Sequence, residues 1–302
     1  MCSLGRKIAC GEKYEVKEID LIDIKKLIDE LSRYRFIKPR VHYTGGEPLL
    51  YAKFIELASY SKEKKIKWSV TTNGYALSNY YKYIVDNGCD KINISIHGDE
   101  GMHDRIVGVK GCFSMLASNL NILNEYKKSK NTPLPLIAVN CVISRKNVKY
   151  LHRILSTLRF LPVHSITFQH LIFSPDALEK PDSDVPRSKS EIYFIKDFIN
   201  YIESKHFDVP ILFFPRIQIK DLFNYYNNYV YPFKNICVFP WLALRIKTNG
   251  LVTTCNGFEL GNIKYGKVKE MWNSCQNREF RNKLRRFGIF RDCQRCCHRQ
   301  YY

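Results

Sequence analysis

Between Leu21 and Ile202 the sequence alternates helix-period segments with short β-type runs, and no other feature constrains the fold as strongly. Leu21, Ile24, Leu27, Ile28 and Leu31 recur at helical spacing, and a β-type run from Arg40 to Tyr43 follows. Phe54, Ile55 and Ala58 line a second helix, while Trp68 to Thr72 and Ile92 to Ile96 read as strands. Phe113 to Tyr126 reads as a helix, Leu136 to Ile143 and Ser165 to Phe168 as further strands. A last helix carries Ile192, Ile195, Phe198, Ile199 and Ile202 on one side. Strands that alternate with helices are joined by crossovers and run parallel, so the expected class is α/β. No internal repeat of solenoid period is present, and a domain boundary is expected between Tyr225 and Asn235.

Eleven cysteines stand in this chain of 302 residues, and their spacing is informative at the C-terminal end. Cys237 precedes Pro240-Trp241; Cys255 follows Cys237 with 17 residues between them and Gly250 five before it; Cys293-x2-Cys296 closes the set after a basic segment. Two thiol pairs at ligand spacing make one four-thiolate metal site, which zinc and an iron-sulfur cluster both accept. Cys89, Cys112 and Cys141 fall in periodic or strand-like segments and read as small buried hydrophobes. Cys275 and Cys297 are ambiguous; Cys297 adjoins Cys296 and is an alternative ligand to it.

Upstream, Val41-His42-Tyr43-Thr44-Gly45-Gly46-Glu47-Pro48 breaks a β-type run into two glycines and a carboxylate. Glycines let a backbone approach a ligand closely, and Glu47 offers a negative acceptor to an ammonium group. By itself the segment is also an ordinary strand-to-helix turn with Pro48 near the first helical position.

Together with Thr72-Asn73-Gly74, Ile94-Ser95-Ile96-His97-Gly98, His103-Asp104, Gly261-Asn262-Ile263 and Trp272-Asn273 in that order, these segments resemble the radical S-adenosylmethionine (SAM) enzymes with a SPASM or twitch C-terminal subdomain. The resemblance implies a partial (βα) barrel over residues 1–232 and a small iron-sulfur subdomain over 233–302. It implies SAM held by Gly45, Gly46, Glu47 and Pro48, with Asn73 and Ser95 at the same pocket and Glu47 on the methionine amino group. Asn140 is expected to face that pocket too, because active sites on parallel barrels form at the C-terminal ends of the strands. His97 stands where the family commonly has Asp, and Arg105 reads as a surface arginine. The proline-rich stretch from Ser174 to Ser190 reads as a loop on the same face, either covering the substrate or a tolerated insertion.

In this family a radical-generating 4Fe-4S cluster sits on a Cys-x3-Cys-x2-Cys loop after the first strand. Here only Cys2 matches, as the third cysteine, and Cys10 is too far from it to complete the motif. A parallel sheet without its first strand leaves an uncovered edge, so the expectation is a longer natural chain that starts upstream of Met1. A degenerate scaffold without radical chemistry is the alternative.

The implied reaction is one-electron reduction of SAM, releasing a 5′-deoxyadenosyl radical that abstracts hydrogen from a peptide or small-metabolite substrate. An electron donor such as flavodoxin or ferredoxin is implied as partner. The four thiols Cys237, Cys255, Cys293 and Cys296 are expected to hold one auxiliary 4Fe-4S cluster with no open iron, hence one that transfers electrons.

Composition supplies the outer limits. The longest uncharged runs, such as Leu134 to Ser144 and Cys237 to Leu244, are too short or too polar for a bilayer, and no basic-then-apolar leader is present, so a cytoplasmic protein without a membrane partner is expected. A net charge of +19 admits a polyanionic partner, so a zinc-binding, basic nucleic-acid module is a third reading, though it leaves Gly45 to Pro48 and Ser95 without a purpose. In the densest basic stretch, Phe280, Leu284 and Phe287 at helical spacing assign most arginines to a solvated helix face.

Overall fold

The computed structural model describes residues 18–34, 36, 39–171, 184–227, 235–255, 258–288, 290, 296 and 300–301. Cys2, Cys10, Cys293, Cys297 and the 172–183 part of the proline-rich stretch lie outside the described residues, as does the expected boundary near 232.

Six strands form one sheet in chain order: β1 (Arg40–Tyr43), β2 (Lys67–Thr72), β3 (Cys89–Ser95), β4 (Leu136–Ile143), β5 (Ser165–His170) and β6 (Ile211–Phe214). Every neighbouring pair is parallel. Crossovers between parallel strands are right-handed, so strands added in one direction place all their helices on one face and leave the other concave. The helices are α1 (Leu21–Ser32), α2 (Phe54–Glu63), α3 (Leu77–Asp86), α4 (Glu100–Val107), α5 (Cys112–Ser129), α6 (Leu151–Leu158), α7 (Lys189–Glu203) and α8 (Leu222–Asn227). The result is an open, partial (βα) barrel.

Strand period decides which side chains enter the core. Trp68, Val70, Ile92, Ile94, Val139, Cys141, Ile166 and Phe168 alternate along their strands, face the helices and are fully buried. Around Trp68 the rings of Tyr43 and Phe54 pack at 5.8 and 6.0 Å. Burial of each such side chain stabilises the fold by about 1.5–3 kcal/mol. Local chemistry sets the helix starts: Asp20 caps α1 by accepting from the Ile22 N–H at 2.9 Å, and Ser188 with Glu191 forms a reciprocal capping box on α7.

The concave face carries the alternate residues, and the strand register arranges them in layers. His42, Ser69, Lys91 and Leu136 form one layer. Thr71, Asn93, Ala138 and Ser165 form the next, and Ser95, Asn140, Thr167 and Leu212 the one above. Asn140 thus lies inside β4, not at its end, but directly beside Ser95.

The C-terminal region is built differently. A three-stranded antiparallel sheet joins β8 (Arg245–Ile246), β9 (Leu251–Cys255) and β10 (Phe258–Asn262), and β7 (Asn235–Ile236) pairs with β11 (Gln300–Tyr301). Two helices, α9 (Val268–Trp272) and α10 (Cys275–Phe287), complete it. Its buried apolar cluster comprises Val252, Ile263 and Met271. Glu30 on α1 accepts from the backbone N–H of Val268 at 3.0 Å and of Lys269 at 2.6 Å, docking α9 on the barrel through the unsatisfied donors of its first turn.

Candidate cofactor pocket and cluster region

The turn after β1 positions Glu47. Gly45 has φ +149, a conformation that L side chains rarely adopt, and nothing lies within 4 Å of where its Cβ would stand. Glycine is therefore required by the backbone, and the space before the turn is open to a ligand. Pro48 opens a single 3-10 turn, Pro48–Leu50, that Glu47 caps through the Leu49 N–H at 3.1 Å. The ordinary-turn reading therefore holds, and the turn also fixes the carboxylate.

Three donors orient that carboxylate. Thr72 donates from Oγ1 to Oε1 of Glu47 at 2.6 Å, and the Asn73 N–H donates to Oε2 at 2.8 Å. Thr72 is buried and in turn accepts from the Gly74 N–H at 3.1 Å. A carboxylate has about four acceptor sites, so with two used on Oε1 and one on Oε2, the second oxygen keeps room for an ammonium proton. Asn73 turns its own Oδ1 to the Tyr75 N–H at 2.8 Å. Its backbone N–H, not its side chain, is what meets Glu47. Gly74 has φ +78, and a Cβ there would meet Leu116 at 3.1 Å.

Ser95 ends β3 and pairs in register with Asn140, whose carbonyl accepts from the Ile96 N–H at 3.0 Å. The following loop is locked by His97. Its Nδ1 accepts from the Val142 N–H at 3.3 Å, its own N–H donates to His103 Nδ1 at 3.1 Å, and Asn147 donates to its carbonyl at 2.9 Å. Burial first and the neighbouring His103 second push His97 down to about 4, so the ring is neutral and serves as scaffold. Gly98 is required by close approach, since a Cβ would stand 2.6 Å from Met102. Asp104 accepts from the N–H groups of Gly111 and Phe113 and is held below the usual carboxylate range, the Phe113 bond being the largest cause. Arg105 donates to the Gly101 carbonyl at 3.1 Å on the surface, in keeping with the surface reading.

The sequence motifs of the C-terminal region are largely structural. Gly250 has φ +83, and a Cβ would lie 2.7 Å from Asn262 Oδ1. Asn262 donates back to the Asn249 carbonyl at 3.0 Å, so the Gly250 and Gly261-Asn262 segments staple one hairpin. Trp272 offers its carbonyl to Asn277 at 2.9 Å and to Arg281 at 3.1 Å, and its ring lies 4.3 Å from the Arg281 guanidinium carbon. Arg281 also donates to the Pro240 carbonyl at 2.9 Å and is buried, whereas Arg278, Arg285 and Arg286 lie on the solvated face expected of this helix. Phe280 and Leu284 are buried as expected, whereas Phe287 is 64% exposed.

Cys237 follows β7 directly and Cys296 lies four residues before β11, so the Ile236–Gln300 pairing brings their segments to one edge. Cys255 ends β9, and all three cysteines are partly exposed. Among the described residues no three His, Cys, Asp or Glu side chains gather into a metal-holding group, and Cys293, the fourth expected ligand, is outside them. Thiolate chemistry and the strand pairing fit an iron-sulfur cluster here. Of the three thiols in the radical-cluster motif this sequence contains Cys2, which lies outside the described residues. Cys89, Cys112 and Cys141 are buried, and burial raises the Cys89 and Cys141 thiols to about 12, as expected of inert core residues.

Among the described residues, no single helix is long and apolar enough to cross a membrane. A family model described as the Radical SAM superfamily matches residues 1–140, and one described as an iron-sulfur cluster-binding domain matches residues 237–297. Fe-coproporphyrin III synthase of Methanosarcina barkeri is 24% identical over 198 residues, 65% of this chain and 47% of that protein. The cysteine-type anaerobic sulfatase-maturating enzyme of Clostridium novyi is 23% identical over 257 residues, 76% of this chain and 61% of its own. The chain thus spans about half to three-fifths of the length of these curated relatives. The solved structure of native anSMEcpe with bound AdoMet and Cp18Cys peptide superposes with a TM-score of 0.62 at 15% identity, covering 92% of this chain and 78% of that one. At that identity the likeness concerns the fold.

Proposed function

This chain belongs to the radical SAM superfamily and carries its iron-sulfur cluster-binding region, and we propose that it is an enzyme that binds SAM at the mouth of the partial barrel and modifies a peptide substrate. The observation that carries the proposal is the Glu47 carboxylate, fixed by Thr72, Asn73 and Leu49 with acceptor capacity left on Oε2 beside the open turn at Gly45. In this reading Glu47 takes the amino group of SAM, and the Gly45-Gly46 backbone admits its methionine part. Ser95 and Asn140, side by side in register, face the nucleoside.

Reduced SAM supplies hydrogen abstraction from the substrate. The protein orients the cofactor and places the substrate on the concave face. Cys237, Cys255, Cys293 and Cys296 hold one auxiliary 4Fe-4S cluster; four thiolates leave no open iron, so its role is electron transfer. The division into a barrel over 1–232 and a cluster region over 233–302, a flavodoxin- or ferredoxin-type donor and a cytoplasmic setting belong to the same proposal. Peptide substrates are favoured because the relatives include a sulfatase-maturating enzyme, a PqqA peptide cyclase and a structure with a bound peptide.

Anaerobic purification followed by iron and acid-labile sulfide analysis tests the cluster, with about four of each per chain expected. Zinc without sulfide overturns it. Saturable SAM binding by equilibrium dialysis is expected from the same preparation, and its absence overturns the cofactor assignment.

A further inference from the structure

We propose that the substrate carries an anionic group, a carboxylate or a phosphate, that docks on Lys91 beside His42 on the concave face of the sheet. This rests on the reading above that the concave face receives the substrate, and it adds the substrate's chemistry. Lys91 faces the concave side in the layer of His42, Ser69 and Leu136, four residues before Ser95 on the same strand. Among the described residues no carboxylate lies within 4.0 Å of its ammonium group, whereas nearby Arg40 has Asp90 at 3.4 Å. A half-buried cation whose register neighbours are neutral attracts an anion, because concave, low-dielectric walls focus its field.

His42 registers that field. Burial first and the Lys91 charge second hold its pKa below the ordinary histidine value. Its orientation is fixed on both sides, since Nδ1 lies 2.8 Å from Ser69 Oγ and Nε2 2.9 Å from Thr71 Oγ1. A neutral imidazole has one donor and one acceptor nitrogen, so the two hydroxyls and the ring form a polar wall beside Lys91.

On the side of Lys91 away from His42 the same face is apolar and open: its register neighbour Leu136, and Leu212 and Phe214 on β6, are 42%, 53% and 42% exposed. The face therefore matches a ligand that is anionic at one end and apolar along its length. Strand rise sets the scale, for four residues span about 13 Å. An extended peptide covers that distance in about four residues. An acidic residue within about four positions of the modified residue thus reaches Lys91 while the reacting atom sits near Ser95.

The test is NMR of the His42 Cε1–Hε1 signal in the full chain, titrated separately with inorganic phosphate and with the peptide acetyl-Ala-Ala-Glu-Ala-amide. A saturable shift with either probe is expected, weakened about tenfold or more in Lys91→Gln and largely retained in Lys91→Arg. A shift with phosphate alone assigns a phosphorylated substrate, and one with the peptide alone assigns a carboxylate. No saturable shift with either probe, equal affinity in Lys91→Gln, or loss in a folded Lys91→Arg overturns the proposal. SAM binding on the same samples separates the two readings: intact SAM binding without a probe response removes the anion subsite alone, whereas absent SAM binding removes the reading beneath it.

Discussion

The barrel from Leu21 to Asn227 and the C-terminal region from Asn235 onward are held together by different means. Behind the parallel sheet lies a continuous apolar core running from Leu49 to Tyr226. The C-terminal region buries the small cluster of Val252, Ile263 and Met271 and, apart from it, Phe280 and Leu284 of α10, and adds hairpin hydrogen bonds and a buried arginine clamped on Trp272. Small apolar cores need a covalent or metal staple. The contrast teaches why thiols concentrate where the core is thin, and why those in the barrel are inert.

The largest effect tests that contrast directly. Removal of iron by a chelator, or Cys255→Ala, is expected to abolish the folded C-terminal region while far-ultraviolet circular dichroism keeps the barrel signal. Proteolysis should then cleave within 235–288 first, and equal resistance with and without iron breaks the comparison. Next in size, Trp68→Ala removes the largest fully buried side chain of the barrel and is expected to cost about 3–5 kcal/mol in denaturant unfolding. Arg281→Ala strands the Pro240 carbonyl and removes the cation from the Trp272 ring, a loss of about 1–3 kcal/mol confined to the C-terminal region. Hydrogen exchange should show faster opening of β8 to β10 and unchanged β2 to β5; a uniform change contradicts the separation.

Smaller per pH unit is the pH dependence of the barrel. His170 is fully buried against Tyr225 and Tyr226, and burial lowers it to about 3. Its folded pKa is below the unfolded value, so the unfolded chain takes up a proton that the folded chain refuses. Stability is therefore complete above about pH 6.5 and falls toward pH 3 by up to about 1.4 kcal/mol per pH unit. His170→Gln should flatten that slope in urea titrations. An unchanged slope assigns the acid sensitivity elsewhere.

How far the sequence revealed this structure depends on whether the information is local. Strands β1 and β4 match their sequence readings residue for residue, because β1 alternates polar and apolar residues up to the glycine turn and β4 is a mostly apolar run that starts after Pro135. Strand β6 and helix α3 were not anticipated: Ile211 to Phe214 is a four-residue apolar run between prolines without visible periodicity, and α3 is rich in tyrosines that blur its apolar face. The Gly45-Glu47 turn was legible since its residues are adjacent. Thr72 as the orienting donor and Lys91 as a cation on the concave face were not, because both depend on cross-strand register. Arg278, Arg285 and Arg286 of α10 are exposed, as the 280, 284, 287 pattern suggests for most arginines here; Arg281 is the exception, because the buried face extends over Asn277 and Arg281 as well.

The most direct test of the central claim is SAM binding by Glu47→Gln, measured by equilibrium dialysis beside the wild-type chain. Losing a charge-assisted hydrogen bond costs about 1.5–3 kcal/mol, so affinity is expected to fall roughly ten- to a hundredfold in a variant that remains folded by circular dichroism. Equal affinity in the two proteins would contradict a barrel mouth organised around this carboxylate.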